Sequence, residues 1–403
     1  MHGLKEIYLV PLGGIEPPPH GPKPRALSVK PQRPICRIII PDMDDINQHI
    51  KDIEKEIRET PYHKGTEHYI GLLRARLARL KDRQIEGFVK SKGGGGGAGY
   101  AVKKTGDATV VLIGPPSCGK STLINALTNA ESKVAAYAFT TLSVIPGMLK
   151  YNDAYIQIFD VPGLISGAKE GKGRGREVLS VARGADLLLI MTDIDRPEAF
   201  TGMLAELKTV GIRINEVPPE VKVDKKLSGG LVIHSNIKQD IPIETIKEVA
   251  QEFGLKNAEI TVREKLTIDR LIDSFSTSRV YVPAIFVVSK VDKSDDSNDS
   301  NRRSDRLYIS AQKEIGLEEL KRKIWEKLNL LRVYLVHPDE EPSTNNPIIM
   351  KKDQTLQDVA LKIGSDFAEG KKLAKIWGPK ARFAGQEVPL TTPISENTQI
   401  RFI

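Results

Sequence analysis

The 403-residue sequence predicts an α/β fold built on a parallel sheet, with a helical hairpin before it and a small β-grasp-like α+β module after it. Short runs rich in valine and isoleucine alternate with helical stretches, which is typical of parallel strands covered by helices. Two apolar stripes at helical spacing precede the first of these runs. A long gap between two motif-bearing strands indicates an inserted α+β subdomain.

Apolar residues recur every three or four positions in two stretches separated by Pro61 and Gly65, which predicts two helices joined by a short break. The two stripes are Ile46, Ile50, Ile53 and Ile57, and then Ile70, Leu73, Leu77 and Leu80. The second helix also carries Arg74, Arg76, Arg79, Lys81 and Arg83. This basic row is either an RNA-binding face or a solvated helix face.

The predicted domains follow from changes in composition and pattern. Residues 1–42 have no helical or strand period, so we expect a disordered extension or an artefact of start-site assignment, with Met43 as the true start. Residues 43–92 form the hairpin, and the glycine-rich residues 93–106 form a linker or hinge. The nucleotide domain takes residues 107–195 and 280–331, the insert 196–279 and the last module 332–403.

Predicted elements occupy these domains in order. In the main domain, residues 108–113, 155–159, 186–191, 284–288 and 307–309 are predicted strands and 121–129 a helix. The insert has a predicted strand at 231–233 and a helix at 244–253. The last module has predicted strands at 332–336 and 399–403 around a helix at 356–363.

Composition limits the function classes. The net charge of +8 favours an anionic partner such as RNA or a ribosome surface, although excess surface lysine explains it equally well. Two cysteines, Cys36 and Cys118, exclude a disulfide framework and fit a reducing cytoplasm. No apolar run approaches the ~18 residues of a membrane span, so no membrane partner is expected.

A phosphate-binding motif follows the first predicted strand of the main domain. The pattern G-x-x-x-x-G-K-[ST] is matched by Gly114, Pro115, Pro116, Ser117, Cys118, Gly119, Lys120 and Ser121. Its backbone N–H groups are expected to surround the phosphates, with Lys120 on the β- and γ-phosphates and Ser121 on Mg²⁺. Thr122, the next residue, completes the predicted phosphate contacts.

Asp160-Val161-Pro162-Gly163 follows the predicted strand at 155–159. A carboxylate at that strand end can hold Mg²⁺ through its water shell, and the Gly163 N–H can meet the γ-phosphate. The spacing of 39 residues after Ser121 makes this otherwise weak D-x-x-G motif specific.

Phe139-Thr140-Thr141 lies between the two phosphate motifs. A threonine there can ligate Mg²⁺ while the triphosphate is bound and be released after hydrolysis. We prefer Thr141 to Thr140 for this role; the alternative is a β-rich surface loop. Thr141 therefore joins Lys120 and Gly163 as the predicted catalytic set.

Ser289-Lys290-Val291-Asp292 follows the predicted strand at 284–288. The Asp292 carboxylate can accept hydrogen bonds from N1 and N2 of guanine, a donor pair that adenine lacks. Lys290 is expected over the base, and the Ala311 N–H, in Ser310-Ala311, faces the base oxygen. The motif commonly begins with Asn, and the shorter Ser289 is expected to support the phosphate loop less well.

These motifs, together with Gly106-Asp107-Ala108, Pro146-Gly147 and the glycine-rich residues 170–176, closely resemble the developmentally regulated GTP-binding protein family. This family is a branch of the Obg-like translation-factor GTPases. The resemblance covers nearly all of residues 43–403, and archaeal members are the preferred match. It implies a P-loop GTPase domain with a TGS-like C-terminal module, acting in the cytoplasm with Mg²⁺, GTP and GDP, ribosomes, RNA and, in some members, a small regulatory protein.

Leu164 occupies the position where Ras-like enzymes place a water-orienting Gln, so we expect slow intrinsic hydrolysis. Lys169, Arg174, Arg176, a partner or K⁺ are candidates to supply the transition-state charge. Potassium-activated relatives often have Asn where this chain has Ser117. Two alternatives remain open: an RNA- or ribosome-binding module with negligible turnover, and an ATP-preferring P-loop NTPase.

The last module combines basic and aromatic residues, a mixture that suits stacking on bases and contact with phosphates. The residues are Lys371, Lys372, Lys375, Lys380, Arg382, Trp377 and Phe383. For Trp377 itself, a place in the core of a small fold is the preferred interpretation. The lysines remain candidate RNA contacts.

Overall fold

The computed structural model describes residues 43–63, 65–91, 106–128, 135–136, 143–160, 181, 184–293 and 303–403. Several predicted features lie outside these residues. They are the segment 1–42, the glycine run at 93–99, Phe139, Thr140, Thr141, Gly163, Leu164 and the basic residues Lys169, Arg174 and Arg176.

Seven strands form the central sheet: β1 (Ala108–Ile113), β2 (Ala135–Ala136), β3 (Ser143–Tyr151), β4 (Ala154–Asp160), β5 (Leu187–Asp193), β11 (Ala284–Ser289) and β12 (Arg306–Tyr308). Their order is β12-β11-β5-β1-β4-β3-β2. The five strands from β12 to β4 are parallel, as predicted.

The sequence analysis predicted neither β2 nor β3, which extend the sheet at one edge, where β3 runs antiparallel to β4 and to β2. The turn between β3 and β4 places Asn152 and Asp153 at φ values of 48° and 65°. Consecutive left-handed residues of this kind make the tight hairpin turns that join antiparallel strands.

Helices cover both faces of the sheet, and neighbouring strand residues therefore enter different cores. Leu112 packs with Leu123 in one core, and Val111 packs with Phe200 in the other. The helices in these cores are α3 (Lys120–Thr128), α4 (Ala199–Thr209) and α7 (Leu317–Lys327). Helix α3 packs tightly against Gly147 on β3, since a Cβ there would lie 2.6 Å from Thr128 Cγ2.

The hairpin helices α1 (Met43–Glu59) and α2 (Glu67–Ser91) precede the sheet. The insert contains β7 (Val221–Lys225), β8 (Leu231–Ser235), β9 (Ala258–Val262), α5 (Ile243–Glu252) and α6 (Ile268–Phe275). Ala75 and Ala78 of α2 lie in the same buried cluster as Ile246 and Leu271 of the insert. Hairpin and insert therefore share one core. Val221 is the first residue of the insert in this core, whereas α4 packs on the central sheet.

The basic row of α2 is only partly a solvated face. Arg74 pairs with Asp269 at 3.5 Å and Arg76 with Glu252 at 2.8 Å, both across to the insert. Lys81 pairs with Glu54 of α1 at 3.0 Å. Three of the five cations of this row are thus paired with carboxylates of neighbouring helices.

A buried charge cluster joins the insert to a two-stranded sheet of β6 (Ile212–Ile214) and β10 (Val280–Val282). Arg213 donates two hydrogen bonds to the Asp273 carboxylate, at 2.6 and 2.7 Å, and Arg279 donates a third at 2.6 Å. Arg213 and Asp273 are 6% and 7% exposed. The carboxylate is thus the centre of the cluster.

We expect Asp273→Ala to lower the free energy of unfolding by about 3 kcal/mol, because it leaves two buried guanidinium groups without a counter-charge. Denaturant unfolding of the nucleotide-free protein measures this. The control, Asp224→Ala, removes a half-exposed carboxylate paired with Lys222 and should change stability by less than about 1 kcal/mol. Equal losses in the two variants would contradict the prediction.

The C-terminal module is a five-stranded mixed sheet with two short helices. Its elements are β13 (Leu330–Leu335), β14 (Pro347–Lys351), α8 (Leu356–Ile363), α9 (Ser365–Glu369), β15 (Leu373–Trp377), β16 (Gln386–Pro389) and β17 (Thr398–Phe402). The strand order is β14-β13-β17-β15-β16. A capping box between Thr355 and Asp358 starts α8.

This module contacts the main domain at the amino ends of the parallel strands. Lys362 pairs with Asp107, just before β1, at 3.0 Å, and Lys351 pairs with Asp186, just before β5, at 3.1 Å. The module therefore lies at the edge opposite the strand ends that carry the phosphate motifs. Among the described helices, none combines the length and apolar composition of a membrane span.

Candidate nucleotide-binding site

The carboxyl ends of the parallel strands bring the predicted site residues to one edge. Strand β1 leads into the phosphate loop, β4 ends at Asp160, β5 at Asp193 and β11 at Ser289. In register, Asp160 lies opposite Leu112, and Ser289 opposite Asp193. Ligands of open α/β sheets bind in the crevice outside such strand ends.

The phosphate loop requires glycine at both of its ends, Gly114 and Gly119. A Cβ on Gly114 would lie 2.4 Å from the Met191 carbonyl oxygen, which leaves no room for a side chain. Gly119 has a φ of 94°, in the left-handed region, and α3 begins at the next residue. The first backbone N–H groups of α3 therefore lie at this edge of the sheet, and N–H groups at a helix N-terminus favour binding of an anion.

Lys120 is 8% exposed, and its ammonium lies against the loop itself. The Nζ donates to the carbonyl oxygens of Gly114 at 3.1 Å and of Pro115 at 3.0 Å. A buried positive charge is therefore held within the motif that would bind phosphates.

Ser121 and Asp160 form an oxygen-rich pair beside the start of α3. The Ser121 hydroxyl donates to Asp160 Oδ2 at 3.1 Å, while Oδ1 is buried with no hydrogen-bond partner among the described residues. Burial raises the pKa of Asp160, and the Lys120 charge and the Ser121 hydrogen bond partly oppose this. An unpartnered buried carboxylate oxygen next to a hydroxyl fits Mg²⁺, which prefers hard oxygen ligands and keeps several waters.

Ser289 supports the phosphate loop despite its short side chain. Its Oγ lies 2.6 Å from the Cys118 carbonyl oxygen and 3.1 Å from that of Thr192, so the hydroxyl can donate to either. The side chain is 2% exposed. The expected weakening of loop support is thus offset by a direct contact.

We expect Ser289→Ala to weaken GDP binding roughly 5- to 30-fold, which corresponds to about 1–2 kcal/mol for one lost buried hydrogen bond. Titration with a fluorescent GDP analogue measures this. In the control, Thr209→Ala, the lost hydroxyl bonds only a carbonyl of its own helix, that of Ala205, and affinity should stay within twofold. Wild-type affinity in Ser289→Ala would show that the contact does not support the loop.

The two base-recognition segments meet at Asp292 and Ser310. Asp292 lies in the short 3₁₀ helix Val291–Lys293 and accepts a hydrogen bond from the buried Ser310 hydroxyl, which lowers the pKa of its carboxyl group. The Val291 N–H donates to the Ile309 carbonyl oxygen at 3.3 Å. Asp292 is thus ionised at neutral pH and accessible, while Ala311 lies directly after Ser310.

Asp193 and Arg196 lie in this candidate site, although the sequence analysis did not identify them. Arg196 donates to both carboxylate oxygens of Asp193, at 3.0 and 2.6 Å, and also to the Pro116 carbonyl oxygen at 3.2 Å. Lys290 Nζ donates to Asp193 at 3.2 Å. The position of Asp193 just after the predicted strand at 186–191 is the signal that could have identified it.

The described structure brings most predicted site residues to this edge. They are Gly114, Pro115, Pro116, Ser117, Cys118, Gly119, Lys120, Ser121, Thr122, Asp160, Ser289, Lys290, Asp292, Ser310 and Ala311. Phe139, Thr140, Thr141 and Gly163 lie outside the described residues, and their roles stay predictions.

Three family models match consecutive parts of the chain. The model described as 50S ribosome-binding GTPase matches residues 109–225, and the C-terminal region of the same domain matches 228–330. The TGS domain model matches residues 331–403.

Among curated relatives, an uncharacterized GTP-binding protein of Methanocaldococcus jannaschii is 42% identical over 87% of this chain and 91% of its own length. Developmentally-regulated G-protein 3 of Arabidopsis thaliana is 40% identical over 86% of this chain and 95% of its own length. Developmentally-regulated GTP-binding protein 1 of Xenopus laevis is 38% identical over 84% and 94%. With this identity across most of the chain, a GTPase domain and a TGS domain, the protein belongs to the developmentally regulated GTP-binding protein family of GTPases.

Proposed function

We propose that this GTPase is a slow, Mg²⁺-dependent switch that binds guanine nucleotides at the described sheet edge and acts on the ribosome. One observation carries the site assignment: the Ser289 hydroxyl joins the phosphate loop, at Cys118, to the segment that bears Asp292. That contact supports placing the phosphate-binding and base-binding groups in one site.

Within this site, the loop amides and Lys120 bind the phosphates, and Asp292 selects the base. Ser121 would ligate Mg²⁺ directly and Asp160 through water, with Thr141 as the predicted further ligand. When bound, Mg²⁺ would neutralise charge on the β- and γ-phosphate oxygens. The Gly163 N–H is assigned to the γ-phosphate.

We expect Asp160→Asn to have opposite effects on stability and on binding. Replacing a buried carboxylate whose Oδ1 has no described partner should raise the free energy of unfolding of the nucleotide-free protein by about 1 kcal/mol. The same change should weaken Mg²⁺-dependent binding of a non-hydrolysable GTP analogue about 10- to 100-fold. Unfolding in EDTA and titration with and without Mg²⁺ measure the two effects; loss of both quantities together would contradict the prediction.

The slow rate is proposed because Leu164 cannot orient water. Lys169, Arg174, Arg176, a partner or K⁺ then remain the candidates that supply positive charge in the transition state. Comparing turnover in K⁺ and Na⁺ buffers tests the cation; equal rates would reject it.

The ribosome assignment rests on the matched family model, on the net charge of +8 and on the surface of the C-terminal module. Lys380, Arg382 and Phe383 are all exposed in the loop between β15 and β16, and Phe383 is 65% exposed. An exposed aromatic ring that follows two cations in one loop suits stacking on an unpaired RNA base. Trp377 is half-buried, and Arg401 lies over its ring at 5.3 Å, so it serves the module's own packing.

The test is phosphate release from GTP with and without large ribosomal subunits, together with co-sedimentation in GTP analogue or GDP. We expect faster turnover with subunits and binding that depends on the bound nucleotide and falls steeply with salt. Nucleotide-dependent binding without any turnover would instead support the non-hydrolysing module. Cytoplasmic location and a small regulatory protein partner are part of the same proposal.

A further inference from the structure

We propose that Asp193 is a positioning residue that couples the phosphate loop to the base-recognition segment, acting through Arg196 and Lys290. The inference rests on the nucleotide site proposed above and adds to it Asp193 and Arg196, which none of the nucleotide motifs contains.

Asp193 is placed to connect the two halves of the site. It ends β5, opposite Ser289 in the register with β11, and the Ile194 N–H donates to the Ser289 carbonyl oxygen at 3.1 Å. Its side chain is 3% exposed, yet both carboxylate oxygens accept hydrogen bonds from cations. A buried carboxylate with this many charge-assisted bonds is held in one orientation.

Arg196 transmits that orientation to the phosphate loop. The Arg196 carbonyl oxygen accepts a hydrogen bond from the Thr192 hydroxyl at 2.9 Å, and the Arg196 N–H donates to the Asp193 carbonyl oxygen at 3.2 Å. These two bonds fix the backbone of Arg196. Two nitrogens of the Arg196 guanidinium donate hydrogen bonds to the Asp193 carboxylate, and one of them also donates to the Pro116 carbonyl oxygen at 3.2 Å. The planar, multiply donating guanidinium suits this bridge in a way that an ammonium does not.

Lys290 transmits the orientation to the base-recognition segment. Its φ of 59° is left-handed, a conformation that non-glycine residues adopt at a cost. Its ammonium is tied to Asp193 at 3.2 Å, so the aliphatic stem extends between Asp193 and the segment that carries Asp292. Anchoring both ends of this side chain offsets the backbone cost and fixes the surface expected to lie over the base.

The Asp193 carboxylate is ionised at neutral pH. Hydrogen bonds from Arg196, followed by those from Lys290, lower the pKa of Asp193 to about 2. One carboxylate between two cations leaves a net positive charge beside the phosphate loop, which suits a polyphosphate ligand.

The experiment is a double-mutant cycle on GDP affinity, measured with a fluorescent GDP analogue. Asp193→Asn and Lys290→Met should each weaken binding about tenfold, and the double variant should be no weaker than about tenfold, because the two residues act as a unit. Arg196→Ala removes both the pairing with Asp193 and the contact with the Pro116 carbonyl oxygen, and leaves the Lys290–Asp193 pair in place. It should weaken binding about fivefold, and combining it with Asp193→Asn should cause no further loss. The control, Asp195→Asn, removes an exposed carboxylate two residues away and should stay within twofold.

The outcomes separate the inference from a general loss of structure and from failure of the proposed site. Multiplying effects in the double variants, or wild-type affinity in Asp193→Asn, would overturn the coupling. If Asp193→Asn does not fold, the cycle of Arg196→Ala with Lys290→Met decides, since a shared clamp predicts less than multiplicative losses. Absence of GDP binding in the wild-type protein would refute the proposed site itself.

Discussion

Lys120→Met is expected to weaken GDP binding roughly 10³-fold, or about 4 kcal/mol, with little loss of stability in the nucleotide-free protein. The buried ammonium lies 3.1 and 3.0 Å from the loop carbonyl oxygens of Gly114 and Pro115, inside the motif that surrounds the phosphates. Hydrogen bonds to charged groups are worth about 1.5–3 kcal/mol each, and Lys120 is expected to make two to the phosphate oxygens.

Calorimetric titration with GDP and thermal unfolding without nucleotide test this prediction together. Lys208→Met, an exposed lysine near the end of α4, is the matched control and should bind GDP as the wild type does. Unchanged affinity in Lys120→Met would remove the basis for placing phosphates at this loop.

Asp292→Asn is expected to change the base preference rather than abolish binding of every purine nucleotide. Guanine presents two donors, at N1 and N2, and the carboxylate accepts both, whereas Asn offers one acceptor and one donor. GTP affinity should therefore fall roughly 10³-fold, since a buried donor is left unpaired. Xanthosine triphosphate carries an oxygen in place of the N2 amine, so its affinity should rise in the same variant.

Competition of GTP, xanthosine triphosphate and ATP against a fluorescent guanine nucleotide measures the preference. The wild-type protein should prefer GTP to ATP, because the Asp292 carboxylate can accept hydrogen bonds from N1 and N2 of guanine, a donor pair that adenine lacks. Asp305→Asn, which removes a half-exposed carboxylate near β12, should leave the order of preference unchanged. An unaltered preference in Asp292→Asn would assign base selection to another group.

The fold of the main domain could be predicted where strand and motif are neighbours in the chain. The strand at Ala108–Ile113 and the helix at Leu356–Ile363 have the predicted bounds, because six consecutive buried residues and a capping box are local signals. The antiparallel edge formed by β2 and β3 was missed. This edge includes the turn at Asn152 and Asp153 and the contact of Gly147 with α3. Neither feature produces a periodic pattern of apolar residues in the sequence.

The sequence by itself determined the phosphate loop, the carboxylate at the end of β4 and the base-recognition segment, because each is a contiguous stretch whose backbone and side chains act together. Only the tertiary structure decided that Ser289 reaches Cys118, that Asp193 binds Arg196 and Lys290, and that the hairpin shares its core with the insert. These contacts join residues that lie on different strands, helices or loops. A one-dimensional pattern records spacing along the chain, whereas the packing of parallel strands brings their carboxyl ends, and the charges they carry, to the same edge.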